Sequence, residues 1–186
     1  MSRRSSLFPL IAPLVIASAL AATVAAQRKF DEREVKATFL FNFAQFVDWP
    51  GASFSSAQAP LVIGVLGVDP FGAILDAVVR GEAIRNRPLA VARFDRVEDV
   101  GVCHILFVSS SEEAQYERIA EALRGRAILT VGDSTGFASG GGMIRFITEN
   151  NRIRLRINLA AARSAGLTIS SQLLRAADVI GGGGLR

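Results

Sequence analysis

The residues of this chain that could act as a catalytic nucleophile are few. Gly132 to Gly136 reads GDSTG and fits the G-x-S-x-G pattern, in which a sharp turn after a strand exposes a serine. A hydrolase of that kind needs an acid and then a histidine further along the chain. The single histidine, His104, instead precedes Ser134. We therefore predict a glycine-rich turn at this position and no catalytic serine.

Cys103 and His104 are adjacent and form a second candidate pair. Neighbouring residues on a strand point to opposite faces, so the two side chains cannot act together as nucleophile and base. A histidine without clustered Asp, Glu or Cys is also a poor metal site. We predict a structural His104 and a buried, inert Cys103 thiol. The sequence thus predicts a protein that is not an enzyme, with no catalytic residue, cofactor or metal.

Two further patterns could bind anions. GVLGVDPFG, from Gly64 to Gly72, places glycines between a predicted strand and a predicted helix, but it lacks a P-loop lysine and does not fit G-x-G-x-x-G. We predict turn and cap chemistry there, with Asp69 as the helix N-cap and Pro70 at the first helical position. The arginines at 152, 154 and 156 could face a carboxylate or phosphate. Alternatively they form the solvated face of an edge strand, where charge discourages pairing.

The elements that would position these residues alternate between strands and helices. Apolar runs at 61–67, 103–109 and 127–131 predict strands buried on both faces of a sheet, and 87–94 is a further strand candidate. Helices are predicted from Asp69, from Ser110 to Gly125 with a capping box at Glu113, and over most of 159–180 with a break near Gly166. Asn150-Asn151 predicts a hairpin turn.

This order of elements predicts an α/β fold. We expect a mixed, largely parallel central sheet flanked by helices on both faces, with a β-hairpin in the C-terminal half of the chain.

The aromatic stretch KATFLFNFAQFVDWP, from Lys36 to Pro50, predicts a helix over about residues 31–49 that ends at the proline. At about 100° per residue one apolar stripe forms a predicted core face: Phe39, Leu40, Phe43, Phe46 and Val47. Phe41 falls outside that stripe, one turn before Gln45. Either the helix is covered on both sides within one molecule, or Phe41 contacts a partner or a second subunit.

The predicted partner-binding residues therefore lie on this helix. They are Lys36, Phe41, Gln45 and Trp49. Trp49 projects away from the core stripe, and Lys36 lies near it at the start of the helix, where its ammonium could reach the rim.

The first 26 residues have the pattern of a secretory signal peptide. Arg3 and Arg4 precede an apolar run, and small residues favour cleavage after Ala26. We predict a signal peptide at 1–26, a single α/β domain at 27–180 and a flexible tail at 181–186. The formal net charge of +4 includes two arginines of this leader, so the composition indicates no nucleic-acid partner.

The chain resembles YfiR-like proteins. The similarity rests on KATFLFNFAQFVDWP, PLVIGVLGVDPFG, CHILFVSSSE, LTVGD, GGMIRF and IRLRINLAAARSAGLTISSQLL, which occur here in the family's order. Together these motifs span roughly residues 35–174.

The resemblance implies a small periplasmic α/β protein that forms dimers and is not an enzyme. The best-known member of the family represses a membrane-bound diguanylate cyclase by binding its periplasmic part, and an outer-membrane lipoprotein sequesters it in turn. That repression lowers cyclic-di-GMP and biofilm formation. That member also carries disulfide-forming cysteines, whereas Cys103 is the only cysteine here, which puts disulfide-based control in doubt.

The resemblance therefore predicts a periplasmic repressor of an inner-membrane signalling enzyme, acting as a homodimer. The alternative from a different class is a small-ligand-binding module of a sensing or transport system. It would use the crevice at the carboxyl ends of the strands, near residues 67–69 and 109–111.

Overall fold

The computed structural model describes residues 31–181. The predicted signal peptide and, apart from Gly181, the predicted tail lie outside these residues. Within 31–181 every helix is too short or too polar to cross a bilayer.

Among residues 31–181 an eight-stranded sheet forms the centre of the fold. Its strands are β2 (Leu61–Leu66), β3 (Ala83–Ile84), β4 (Arg87–Phe94), β5 (Ile105–Val108), β6 (Leu129–Gly132), β7 (Ile144–Glu149), β8 (Arg152–Asn158) and β10 (Asp178–Ile180). They lie side by side in the order β10-β8-β7-β6-β5-β2-β4-β3. Within this sheet, as described over residues 31–181, only the β7–β8 and β3–β4 pairs are antiparallel. The predicted mixed, largely parallel sheet is confirmed.

In the described part of the chain five helices accompany the sheet: α1 (Glu32–Phe46), α2 (Ala73–Val79), α3 (Tyr116–Ala122), α4 (Leu159–Ser164) and α5 (Ser171–Arg175). Residues of α1, α2, α4 and α5 join one buried cluster with one face of the sheet. The α3 residues Tyr116 and Ile119 join a second cluster with Leu106 and Val108 of β5. Helices therefore cover both faces, as predicted, because central strands such as β2 are apolar throughout.

The predicted hairpin is confirmed at β7 and β8. Asn150 and Asn151 adopt φ values of 49° and 56°, the left-handed conformation that a two-residue hairpin turn requires. On β8, Leu155 and Ile157 are buried. The edge-strand interpretation of the arginine stripe is wrong for Arg156, because β10 pairs with β8 at residues 156–158. It holds for Arg152 and Arg154, since no strand among the described residues pairs with that side of β8 at these positions.

The first helix is shorter than predicted. It begins after the N-cap Asp31 and ends at Phe46, since Val47 and Asp48 turn extended to form β1. This two-residue strand pairs antiparallel with β9 (Thr168–Ile169) in a small second sheet. A pairing partner more than a hundred residues away therefore ends the helix before Pro50 does.

The buried face of α1 is rotated relative to the predicted stripe. The buried residues of the helix are Lys36, Ala37, Leu40, Phe43 and Ala44. Phe39 and Phe46, predicted as core, are only half-buried. The two alanines face inward because small side chains let the helix approach the sheet closely, whereas the prediction followed the largest apolar residues.

Other predicted boundaries also differ. The second helix begins at Ala73 behind Gly72, and Asp69 instead accepts a hydrogen bond from the Phe71 amide in the preceding turn. The predicted capping box at Ser110 is replaced by a 3₁₀ segment, Ser110–Gln115, before α3. Residues 178–180, predicted as helix, form β10 because they pair in parallel with β8.

Candidate partner-binding surface

Of the four predicted partner-binding residues, Lys36 lies on the buried face of α1. Its Nζ is 2.5 Å from Glu32 Oε1 and 2.6 Å from Asp133 Oδ2, and the side chain is 8% exposed. Thr148 Oγ1 donates a 2.8 Å hydrogen bond to the same Glu32 carboxylate. The hydrogen bond from Lys36 lowers the pKa of Glu32 below its ordinary value. The ammonium thus ties α1 to the end of β6 instead of projecting to the rim.

The other three predicted residues lie towards the carboxyl end of α1 and just beyond it. Phe41 is half-buried and packs against the core cluster from the flank of the helix. Gln45, one turn later, is exposed, and Trp49 is half-buried. We name Phe41, Gln45 and Trp49 the α1 surface. Lys36 is not part of it, because its side chain points towards the sheet.

Arg85 stabilises the α1 surface, although the sequence analysis did not select it. It lies in the turn between β3 and β4, and its Nη2 donates a 3.1 Å hydrogen bond to the Gln45 carbonyl. Its Nη1 also pairs with the Asp48 carboxylate. The last turn of α1 carries no basic residue of its own, so the hairpin supplies the positive charge that a helix C-terminus favours. The sequence signal for this turn was the residue type of Asn86, since asparagine tolerates the left-handed conformation that it adopts here, with φ 64°.

Trp49 is fastened by its indole. The Nε1–H donates a 3.1 Å hydrogen bond to the His104 carbonyl at the start of β5. The indole also meets the imidazole of His104 edge-on, with ring centroids 6.2 Å apart. The structure therefore gives Trp49 one polar anchor and leaves part of its ring uncovered.

The opposite flank of α1 borders an apolar groove that the sequence analysis also missed. The groove has a volume of about 210 Å³ between α1, β8 and α5, and its lining includes Phe39, Phe46, Ile153 and Leu173. The ring of Phe39 still packs on Phe43 and Phe146, at centroid distances of 6.1 and 5.9 Å. Periodicity alone could not reveal this groove, because it depends on where α5 docks.

The residues considered for catalysis occupy structural positions. Gly132 ends β6 and is followed by a turn, as predicted for the GDSTG motif. Cys103 is 6% exposed and burial raises the pKa of its thiol to about 12, which keeps it protonated. Within residues 31–181 no three His, Cys, Asp or Glu side chains are grouped as metal ligands.

The crevice predicted for a small ligand is filled by the protein's own side chains. The Ser111 hydroxyl accepts a 3.0 Å hydrogen bond from the Val68 amide and lies against Gly67, where a Cβ would clash with it. Asp69 accepts hydrogen bonds from the Phe71 amide and from Arg93, at 2.7 and 2.8 Å. The closed ends of β2 and β5 argue against a ligand site at this position.

The arginine stripe on β8 is largely engaged by nearby acids. Arg156 pairs with Asp178 of β10 at 2.8 Å, and Arg154 pairs with Glu149 of β7 at 3.3 Å. Arg145 of β7 lies directly opposite Arg156. The stripe thus joins three strands of the sheet.

Comparison with known proteins identifies the family. The model of the YfiR/HmsC-like family (DUF4154) matches residues 33–178, from the first turn of α1 to the first residue of β10. No curated protein matches the chain. Because the match covers most of the chain, this protein belongs to the YfiR/HmsC-like family of regulatory proteins.

Proposed function

We propose that this protein is a periplasmic regulator that binds and inhibits an inner-membrane diguanylate cyclase, and so lowers cyclic-di-GMP. The observation that supports the proposal is the incomplete cover of the aromatic residues around α1. Phe39, Phe41, Phe46 and Trp49 are each only half-buried in the single chain. Aromatic side chains of this kind are enriched where proteins bind other proteins.

The proposed partner contact is the α1 surface. Phe41 and Trp49 supply apolar area, and the exposed amide of Gln45 between them can donate and accept hydrogen bonds. Arg85 binds the Gln45 backbone carbonyl and the Asp48 side-chain carboxylate, so the surface is in place before a partner arrives. Pre-organisation of this kind reduces the entropy lost on binding. Lys36 contributes from beneath, by fixing α1 to β6.

Inhibition then requires preference between two states of the partner. A regulator that binds the inactive arrangement of the cyclase's periplasmic domain more tightly shifts the population towards it, by no more than its difference in affinity. A shift from 1:99 to 99:1 needs a preference of roughly 10⁴-fold. The protein acts as a homodimer in this proposal, and an outer-membrane lipoprotein competes for it.

The test is a pull-down from detergent-solubilised membranes of the native host, with tagged protein beginning at Gln27 as bait and mass spectrometry as the readout. The expected product is an inner-membrane protein that joins a periplasmic domain to a cytoplasmic cyclase domain. A parallel pull-down from the outer-membrane fraction tests the lipoprotein. Recovery of the bait alone, at saturating concentration, would reject the proposed partner.

A further inference from the structure

A ten-residue loop crosses the end of the sheet between β1 and β2. We name residues 51–60 the strap. The strap contains no charged residue. Apart from the hydrogen bond of the Ser53 amide to the neighbouring Pro50 carbonyl, two side chains supply the hydrogen bonds that we identify, within residues 31–181, between the strap and the rest of the protein. His104 contacts the Ser53 carbonyl at 3.1 Å, and Arg87 donates to the carbonyls of Ser56 and Ala59 at 2.7 and 3.1 Å.

His104 uses both ring nitrogens, and the bonds define its protonation state. The Val62 amide donates a 3.0 Å hydrogen bond to Nδ1, so Nδ1 carries no proton. Nε2 faces the Ser53 carbonyl, which accepts, so Nε2 carries the proton. The ring is therefore the neutral Nε2–H tautomer. The residue is 1% exposed, and protonation of Nδ1 would set two donors against each other at this distance.

The strap packs on the imidazole of His104 through aromatic stacking. Phe54 stacks on His104 with ring centroids 4.4 Å apart and an interplanar angle of 13°. The guanidinium of Arg87 also lies over the Phe54 ring, 3.8 Å from the ring centroid. Phe54 therefore packs the strap against both a neutral imidazole and a cation.

The charged groups around the ring offer no compensation for a second proton. Arg87 of β4 is the charged group among the described residues that acts on His104, and it has the same sign as a protonated imidazole. Asp48, next to Trp49, is paired with Arg85. Cys103 is neutral and buried. Burial lowers the pKa of His104, the nearby Arg87 charge lowers it further, and the hydrogen bond to Ser53 partly opposes both.

We propose that His104 is an acid-sensitive fastener, whose protonation releases the strap from the end of the sheet. The Val62–Nδ1 hydrogen bond is lost, and the cation under Phe54 repels Arg87. Since the indole of Trp49 contacts the imidazole and donates to the His104 carbonyl, release also loosens Trp49. The inference concerns the single chain and stands independently of the proposed partner.

The chain's composition makes the test direct, because it has one histidine and one tryptophan. The histidine ring resonance in NMR reports protonation, Trp49 fluorescence reports its surroundings, and hydrogen exchange reports opening of the strap. Between about pH 7.5 and pH 5, after correction for intrinsic exchange rates, we expect the protection of the hydrogen-bonded strap amides, Ser53, Phe54 and Ala59, to fall about tenfold as the ring becomes protonated. Amides of β5 and β6 should keep their protection.

Two variants separate His104 from a general effect of acid. His104→Asn keeps an acceptor near the Nδ1 position and cannot titrate, so its strap should be looser but no longer respond to pH in this range. Arg87→Gln removes the charge and keeps a donor, so the ring titration should move to higher pH. The proposal is overturned if the ring titrates without a change at the strap, or if H104N opens with pH as the wild type does.

Discussion

The ammonium of Lys36 lies 2.6 Å from a carboxylate oxygen of Asp133, a residue 97 positions further along the chain. The contact joins the first helix to the end of β6, with Glu32 on the other side of the same ammonium. Lys36 therefore acts first as a structural tie within the molecule.

Lys36→Met should destabilise the fold by about 2 kcal/mol, because it leaves two carboxylates without their shared cation. Urea denaturation at neutral pH measures the change. The pKa of Glu32 is lowered in the folded protein, so its contribution to stability is present above pH 4.5 and is lost as the pH falls below it. The difference in free energy of unfolding between wild type and K36M should therefore narrow below pH 4.5. A difference that stays constant with pH would contradict the stabilising role of the Lys36–Glu32 contact.

Phe41→Glu should leave the circular dichroism spectrum unchanged while it weakens dimerisation or recovery of the cyclase partner about tenfold. A carboxylate on a half-buried flank disturbs an interface more than it disturbs the core. Sedimentation and the pull-down are the measurements. Ala122→Glu is the matched control, because Ala122 is exposed and its helix, α3, packs on the other face of the sheet.

A misfolded F41E would show that Phe41 belongs to the core. Gln45→Arg keeps the test open in that case, since the Gln45 side chain is exposed and its replacement should not affect folding. Normal dimerisation and normal partner recovery for a folded F41E and for Q45R would place the interface elsewhere.

Arg85→Ala should lower the free energy of unfolding by about 1 kcal/mol or less. Both members of the Arg85–Asp48 pair are more than half exposed, so solvent screens most of the attraction. The larger consequence is a less rigid α1 surface, measured as weaker partner binding and faster hydrogen exchange at 45–49. Arg124→Ala, which removes a comparably exposed ion pair with Glu121, should change neither partner binding nor hydrogen exchange at 45–49.

Cys103 should not react with thiol reagents in the folded protein at pH 8. Burial raises the pKa of its thiol to about 12, and Sγ lies 3.1 Å from the Ile105 carbonyl. A disulfide-exchange reagent should react only after unfolding in guanidinium. Partner binding that changes with reductant would contradict this, and would show that the thiol becomes accessible.

The sequence by itself determined the elements whose pattern is local. The apolar run of β2, Leu61–Leu66, predicts a strand covered on both faces, and all six residues are buried. Asn150-Asn151 predicts the β7–β8 hairpin, because few residue types tolerate two successive positive φ values. The order of strands and helices then limits the fold to a largely parallel sheet with helices on both sides. Gln45 is exposed, as its place opposite the predicted core stripe indicates, whereas Phe41 is half-buried and packs against the core cluster.

Only the tertiary structure decided how those elements meet. Ala37 and Ala44 turn α1 towards the sheet, and Phe39 and Phe46 are left at the border of a groove, because the docking of helix on sheet depends on shape more than on apolarity. The partners of Lys36, Trp49 and His104 come from distant parts of the chain. Local periodicity describes one element at a time, whereas these contacts arise when separate elements pack and satisfy one another's buried polar groups.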